Sequence, residues 1–322
     1  MDEAILVTGG LGMIGAQVCR ALVEAGRRPV IYDAGADVAL LGEAAARCTL
    51  VRGGLDDLPR LLDAVRSCSP AAILHFAARV GADAERHPWS AIQTNLAGTA
   101  AVFECARLSG VPRVVFPSSK NAYGDVLEPH RHPTYLPVPE SHPREPTNLY
   151  GTLKRSCEDV AAHYAARHGL DIVAFRFGSS FGPGLPGRSG ALMLLGLIEA
   201  AIDGRPWRAE RGADQCDDVC YAGEAARATL AALEAPAQPG RFRAYNVSGG
   251  ELLSLARMIA ILQSLYPGWD AHAGPGLDYR GIGVAQYFRM DTGRARAELG
   301  WRPAFDFRAA VLDYARQRAS LR

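Results

Sequence analysis

An α/β fold, with a doubly wound parallel sheet and a smaller, mostly C-terminal lobe, is predicted by two features of the chain. From Ala4 to Phe177 short apolar runs alternate with helix-periodic stretches, and beyond Phe177 this alternation gives way to Gly- and Pro-rich turns such as Phe181-Gly-Pro-Gly-Leu-Pro-Gly.

The elements follow in order. Ala4 to Thr8 is an apolar run closed by glycines, Met13 to Ala25 has helical periodicity, and Pro29 to Tyr32 is apolar again, which makes a βαβ unit. Strands are then expected at Thr49 to Val51, Ala71 to Phe76, Arg113 to Pro117 and Asp171 to Phe177. Helices are expected at Leu58 to Ser67, Trp89 to Ser109 and Tyr150 to His168. Later come helices over Ala191 to Asp203 and Gly223 to Leu233 and a short strand at Tyr245 to Ser248. Residues 1–178, with about 217–248 returning to them, form the expected sheet domain, and 179–216 with 249–322 form the lobe. The Pro- and His-rich stretch from Gly124 to Tyr150 has no periodicity and reads as a loop over a site, its His130, His132 and His142 either solvated or reaching substrate.

Composition narrows the function. The 322 residues are 48% hydrophobic and 21% charged, and the net charge is +1, so neither nucleic acid nor a membrane surface is an expected partner. The apolar stretch Gly190 to Ile202 is too short to span a bilayer, and Met1-Asp2-Glu3 lacks a basic leader, so a cytoplasmic location is expected. Seven cysteines are scattered without a C-x-x-C pair, which favours reduced thiols and no metal; only Cys216 and Cys220 have the spacing of one helical turn. Of 35 Lys and Arg residues only Lys120 and Lys154 are lysines, and both adjoin candidate catalytic residues.

Gly9, Gly12 and Gly15 stand between the first strand and first helix, where missing side chains let the backbone approach a pyrophosphate at the helix N-terminus, beside Met13 and Ile14. Asp33 ends the second strand, where it accepts from a ribose diol and repels an added phosphate. NAD is therefore favoured over NADP, in a Rossmann-type site. A carboxylate introduced at Gly10 is expected to face the pyrophosphate.

Tyr150 and Lys154 share a helix face at i, i+4 spacing. A cation about 4 Å from the phenol is worth about 4 kcal/mol at an effective dielectric near 20, or roughly three pKa units before desolvation offsets part of it. A phenolate can then take a hydroxyl proton as hydride leaves the same carbon, with Ser119 bonding the same oxygen.

The chain resembles the extended short-chain dehydrogenase/reductases, the NAD-dependent epimerase/dehydratases, in a layout closest to the 4-epimerases. The likeness rests on Gly9, Gly12, Gly15, Asp33, His75-Phe-Ala-Ala78, Asn95, Ser118-Ser119 before Ala122-Tyr-Gly124, Tyr150 with Lys154, Phe181-Gly-Pro, Tyr245-Asn-Val-Ser-Gly and Leu299-Gly-Trp-Arg-Pro303. It implies Tyr150 as acid/base, Lys154 on the nicotinamide ribose and Ser119 on the substrate. It also implies that Leu55, Phe76, Ala77, Ala78, Asn95 and Ser118 line the cofactor, and that the enzyme is a homodimer. The helices Trp89 to Ser109 and Tyr150 to His168 are apolar on more than one face, as a dimer or an internal contact requires.

Departures from the family narrow the reaction. Its dehydratases carry Asp-Glu where Lys120 and Asn121 stand, so epimerisation or simple oxidation remains. Its nucleotide-sugar enzymes often have Asn at the place of Ser179 and Arg at the place of Asp217, and an aspartate there is expected to repel a diphosphate. Arg188, Arg208, Arg211 and Arg280 offer compensation. Gly54 stands where the family often has an adenine-contacting Asp. The expected function is an NAD-dependent sugar epimerase, or alternatively a net dehydrogenase or reductase of a non-nucleotide polyol, hydroxy acid or ketone.

Overall fold

The structure is a computed structural model that describes residues 3–184 and 192–320. Its first half runs β1 (Ala4–Thr8), α1 (Met13–Glu24), β2 (Arg28–Asp33), β3 (Thr49–Arg52), α2 (Leu58–Cys68), β4 (Ala72–His75), α3 (Gly81–Arg86), α4 (Pro88–Ala91), α5 (Gly98–Ser109), β5 (Arg113–Ser119), α6 (Leu149–His168) and β6 (Asp171–Phe177). The second half runs β7 (Ser179–Phe181), α7 (Leu192–Ile202), β8 (Trp207–Ala209), β9 (Cys216–Tyr221), α8 (Ala222–Glu234), β10 (Phe242–Val247), β11 (Leu252–Ser254), α9 (Leu255–Leu265), β12 (Ala271–Ala273), α10 (Gly293–Leu299) and α11 (Phe307–Ser320).

Seven strands form one sheet in the order β10-β6-β5-β4-β1-β2-β3, and every pairing in it is parallel. A parallel sheet needs apolar cover on both faces, and the side chains alternate accordingly. Leu6, Val30, Val114 and Phe116 pack with α2, α5 and α6 on one face. Ile5, Val7, Ile31 and Val115 pack with α1 and α8 on the other. A third core, with Leu194, Tyr221, Leu262 and Tyr314, fills the lobe.

The segment 217–248 is divided. β10 joins the main sheet beside β6, while β9 pairs with β7 and β11 in a separate three-stranded sheet. Because β9 is extended, Cys216 and Cys220 do not share a helical turn; the thiols that hydrogen-bond each other are Cys19 and Cys48. The expected helix Trp89 to Ser109 is interrupted by a π-helical turn at Ile92–Ala97, a rare device often found at functional sites.

The stretch 125–148 is the expected loop, strapped to the second half of the chain. Val126 N donates to the Ala285 carbonyl at 3.0 Å, Val138 N to that of Arg289 at 2.8 Å, and Asn246 N to Glu140 Oε1 at 2.9 Å. His130 and His142 place Nδ1 against the carbonyls of Leu136 and Pro143, at 2.9 and 3.0 Å, so they fold the loop upon itself.

Candidate active site

The loop between β1 and α1 divides its glycines by task. A side chain on Gly9, whose φ is +69°, would meet Ala77 N at 2.4 Å, and one on Gly15 would meet the Gly9 carbonyl at 2.1 Å. These two are required by close packing. At Gly12 the nearest atom to an added Cβ is the Gly9 carbonyl oxygen at 3.4 Å, so this glycine leaves the helix end open. α1 has neither a side-chain cap nor an acid in its first turn, so the positive end of the helix is uncompensated and suits a phosphate anion. Asp33 fits a ribose beside it: its Oδ2 accepts from Leu11 N at 3.1 Å and its Oδ1 from Gly35 N at 2.9 Å, which fixes the carboxylate. Gly10 differs from expectation. An added Cβ would strike Ile31 and Cys19 in the core, so a substitution there disrupts packing rather than facing a ligand.

Behind the loop, Thr8 Oγ1, His75 and Thr99 Oγ1 form a buried chain with contacts of 2.6 and 2.9 Å. Burial, helped by the charge of Lys154, drops the imidazole pKa to about 3, so His75 is neutral. Phe76, Ala77 and Ala78 follow β4 beside Gly9, and Leu55 is packed under Gly98. Asn95, in the π turn, uses its amide on the backbone of Arg79, accepting from N and donating to O at 2.8 Å each. Its side chain braces the 76–80 loop rather than standing free.

Strand β5 ends in two serines that face opposite ways. Ser118 Oγ donates to Glu158 Oε1 at 2.5 Å, so its proton is committed to that carboxylate. Glu158 is fully buried and also receives Arg176, from Nε at 2.9 Å and NH2 at 2.6 Å. Ser119 Oγ instead accepts from Asn121 N at 3.1 Å and hydrogen-bonds the Tyr150 hydroxyl. Tyr150 opens α6, whose N-cap Asn148 accepts from Gly151 N at 2.8 Å. As a residue Tyr150 is partly exposed, but its hydroxyl is enclosed, and desolvation raises its pKa well above the usual phenol value despite the Ser119 bond.

Lys154 stands 5.7 Å from the centre of that ring and donates to the Pro117 carbonyl at 2.6 Å. Burial pulls its own pKa down. The expected lowering of the phenol by the lysine is not seen: desolvation sets the direction, and the group that opposes it is Ser119.

The second cluster joins Lys120, Ser179, Asp217 and Arg280. Asp217 is fully enclosed, 3.3 Å from Lys120 Nζ and 3.0 Å from Arg280 NH1, and accepts from Ser179 Oγ at 3.2 Å and Tyr279 OH at 3.1 Å. The two cations outweigh burial and hold its carboxyl below the ordinary range. It is thus not the bare anion, repelling a diphosphate, that the sequence suggested. Arg208 and Arg211 are exposed and lie against Asp270 and Asp278, and Arg188 lies outside the described residues. Gly54 turns its carbonyl to Tyr32 OH at 2.9 Å. Sequence reading missed Glu158 and Tyr279. Glu158 sits four residues after Lys154 on the same helix face, a signal that was available; nothing local marks Tyr279.

Comparison with known proteins agrees with this geometry. A UDP-glucose 4-epimerase of Rhizobium meliloti is 27% identical over 325 residues, which cover 96% of this chain and 94% of that one. The fold is that of a Thermotoga maritima UDP-glucose 4-epimerase solved with UDP-glucose, with a TM-score of 0.85, 23% identity and coverage of 99% and 100% of the two chains. An L-threonine dehydrogenase of Cupriavidus necator gives a TM-score of 0.81 at 27% identity, covering 99% and 100%. Among the described residues no helix is long and apolar enough to cross a membrane. With the family model matching residues 5–248, the chain belongs to the NAD dependent epimerase/dehydratase family, and NAD is its cofactor.

Proposed function

We propose that the protein is a sugar epimerase that works by transient oxidation at a ring hydroxyl, with Tyr150 as acid/base, Ser119 aligning the reacting oxygen and Lys154 setting the cofactor-side geometry. The observation that carries this reading is the convergence of these three side chains at the carboxyl end of β5, two strands from the β1 that leads into the glycine loop and on the sheet edge where open α/β sheets bind ligands. NAD supplies reversible acceptance of hydride. Tyr150 Oη takes the hydroxyl proton as the ketone forms and returns it when the hydroxyl is restored. Since burial keeps the phenol protonated in the chain alone, its deprotonation requires a further positive charge, of the kind an oxidised nicotinamide would supply when bound. Ser119 Oγ holds the substrate oxygen in line, and His75, Thr8 and Asn95 hold the loop walls. Residues 1–178 with 217–248 carry the cofactor in this reading, and 179–216 with 249–322 carry the substrate.

Incubation of the purified protein with UDP-, GDP- and dTDP-sugars, without added NAD, tests the proposal by NMR of the sugar protons. Conversion to an epimer that disappears in Tyr150→Phe supports it; stoichiometric NADH release with no epimer rejects it. That second outcome belongs to a net dehydrogenase. This alternative is favoured by the likeness to an L-threonine dehydrogenase. The reading includes a homodimer through α5 and α6, supported by Leu108, which stays exposed on α5; a monomeric mass in solution scattering removes it.

A further inference from the structure

Cys19 and Cys48 are the two thiols of the chain that hydrogen-bond each other. Cys19 lies on the buried side of α1, and Cys48 directly follows the 3-10 turns of Ala39–Arg47, which connect β2 to β3. Both pack into the core between α1 and the sheet, and Arg47 NH1 donates to the Val23 carbonyl at 3.2 Å, so the contact is held by packed elements and not by a free loop.

The surroundings of the two thiols differ. Cys19 is fully enclosed, while Cys48 is half-buried and reaches solvent. The hydrogen bond from Cys19, and behind it the charge of Arg47, outweigh burial and bring the Cys48 thiol below its ordinary pKa; the same bond and burial push Cys19 up. A thiolate is the reactive form of cysteine. The other two partly exposed thiols, Cys68 and Cys216, turn to the carbonyls of Val65 and Asp214 at 3.6 and 4.0 Å, and burial raises both. Cys48 is therefore the thiol that an oxidant in solution meets as a nucleophile, with a second thiol already against it.

Beyond Cys19 lies the cofactor site. Its Sγ is 3.2 Å from the place of a Cβ on Gly10, beside Ile31, so it forms part of the floor of the glycine loop. The connection that ends in Cys48 begins after Asp33, whose carboxylate accepts from Leu11 N in the glycine loop at 3.1 Å and from Gly35 N in the connection at 2.9 Å. A bond between the two sulfurs would join the underside of the loop to the far end of that connection. In a close-packed interior, a shift of Cys19 is passed on to Gly10.

We propose that Cys48 is a site of oxidation by peroxides, and that its resolution by Cys19 into a disulfide weakens NAD binding. The Cys48 thiolate attacks one peroxide oxygen, the O–O bond breaks, and hydroxide departs to leave a sulfenic acid on Cys48. The Cys19 sulfur then attacks the Cys48 sulfur, its proton joins the displaced hydroxide as water, and the S–S bond forms. Each sulfur has given up one electron, and hydrogen peroxide has been reduced to water and hydroxide. A thiol reductant reverses the bond by exchange.

The test uses the full chain, reduced, freed of reductant and treated with hydrogen peroxide. Cross-linking is read by mass spectrometry of an unreduced digest, and cofactor affinity by NADH fluorescence titration. A peptide pair joined through Cys19 and Cys48 is expected, with NADH affinity about tenfold weaker, a usual size for coupling between sites, and dithiothreitol should restore it. Cys48→Ser is expected to bind NADH as the reduced wild type does, before and after peroxide; should it fold poorly, Cys48→Ala serves as the second variant. Peroxide treatment that yields no Cys19–Cys48 pair, a pair that leaves NADH affinity unchanged, or a loss of affinity that persists in Cys48→Ser or after dithiothreitol overturns the proposal. None of these readouts needs a substrate, so the result stands apart from the choice between epimerase and net dehydrogenase.

Discussion

Lys154 Nζ donates to the backbone carbonyl of Pro117 at 2.6 Å, so the helix that carries Tyr150 is tied to the strand two residues before Ser119. The lysine thus has a structural task besides any electrostatic one: it fixes the separation of the phenol and the serine hydroxyl.

Replacing Lys154 by Met should therefore cost both stability and rate. It leaves the Pro117 carbonyl without its donor, at about 1–3 kcal/mol for a buried polar group left unsatisfied, and lets α6 shift. A lowered Tm together with lost turnover is expected. Lys154→Arg should not rescue fully, because a wide planar fork replaces a slim stem at a buried position. A melting temperature equal to wild type in Lys154→Met would remove the tether.

Tyr150→Phe separates chemistry from architecture. Among the described residues its hydroxyl bonds only Ser119, so removing it leaves the fold and NAD affinity close to wild type. Turnover should fall about a hundredfold or more, the worth of a positioned acid/base. Full activity would show that the proton travels elsewhere.

The glycine loop gives a graded series. Gly12 has φ −83° and an open side, so Gly12→Asp should fold normally yet set a carboxylate against the bound pyrophosphate, weakening NADH binding in a fluorescence titration by about tenfold or more. Gly9→Ala should instead lower Tm, through both its positive φ and its collision with Ala77. If Gly12→Asp binds NADH as wild type does, the pyrophosphate lies elsewhere.

What the sequence revealed and what it concealed follow from the range of the forces involved. β1, α1 and β6 were legible nearly to the residue, because their apolar spacing and closing glycines are local signals. The glycines were legible as a set, but not which of them faces a ligand; that depends on Ala77 and Ile31, which approach through the sheet. Ser119, Tyr150 and Lys154 could be grouped because two lie on one helix and the third precedes a recognisable motif. Asp217 was misjudged for the opposite reason. Its charge partners stand 97 residues before it and 63 after it, and nothing in a linear reading shows an aspartate neutralised from both directions.

The pH dependence of stability should reflect two buried groups that oppose each other. Burial lowers His75 to about 3, so between that value and its unfolded value of about 6.5 the unfolded chain binds the extra proton. Stability from this group is lost as pH falls through that window. Burial raises Asp218 to about 7 from an ordinary carboxyl value near 4, so in its window the native chain holds the extra proton and stability is lost as pH rises. Each slope is about 1.4 kcal/mol per pH unit, and between about pH 4 and 6.5 they cancel. Asp218→Asn keeps an oxygen for Met290 N but removes one slope. The variant should be more stable than wild type near pH 7 and should lose stability steadily on acidification, where wild type stays level. Urea unfolding at several pH values reads this directly, and parallel curves for the two proteins would mean that Asp218 titrates as an ordinary exposed carboxyl.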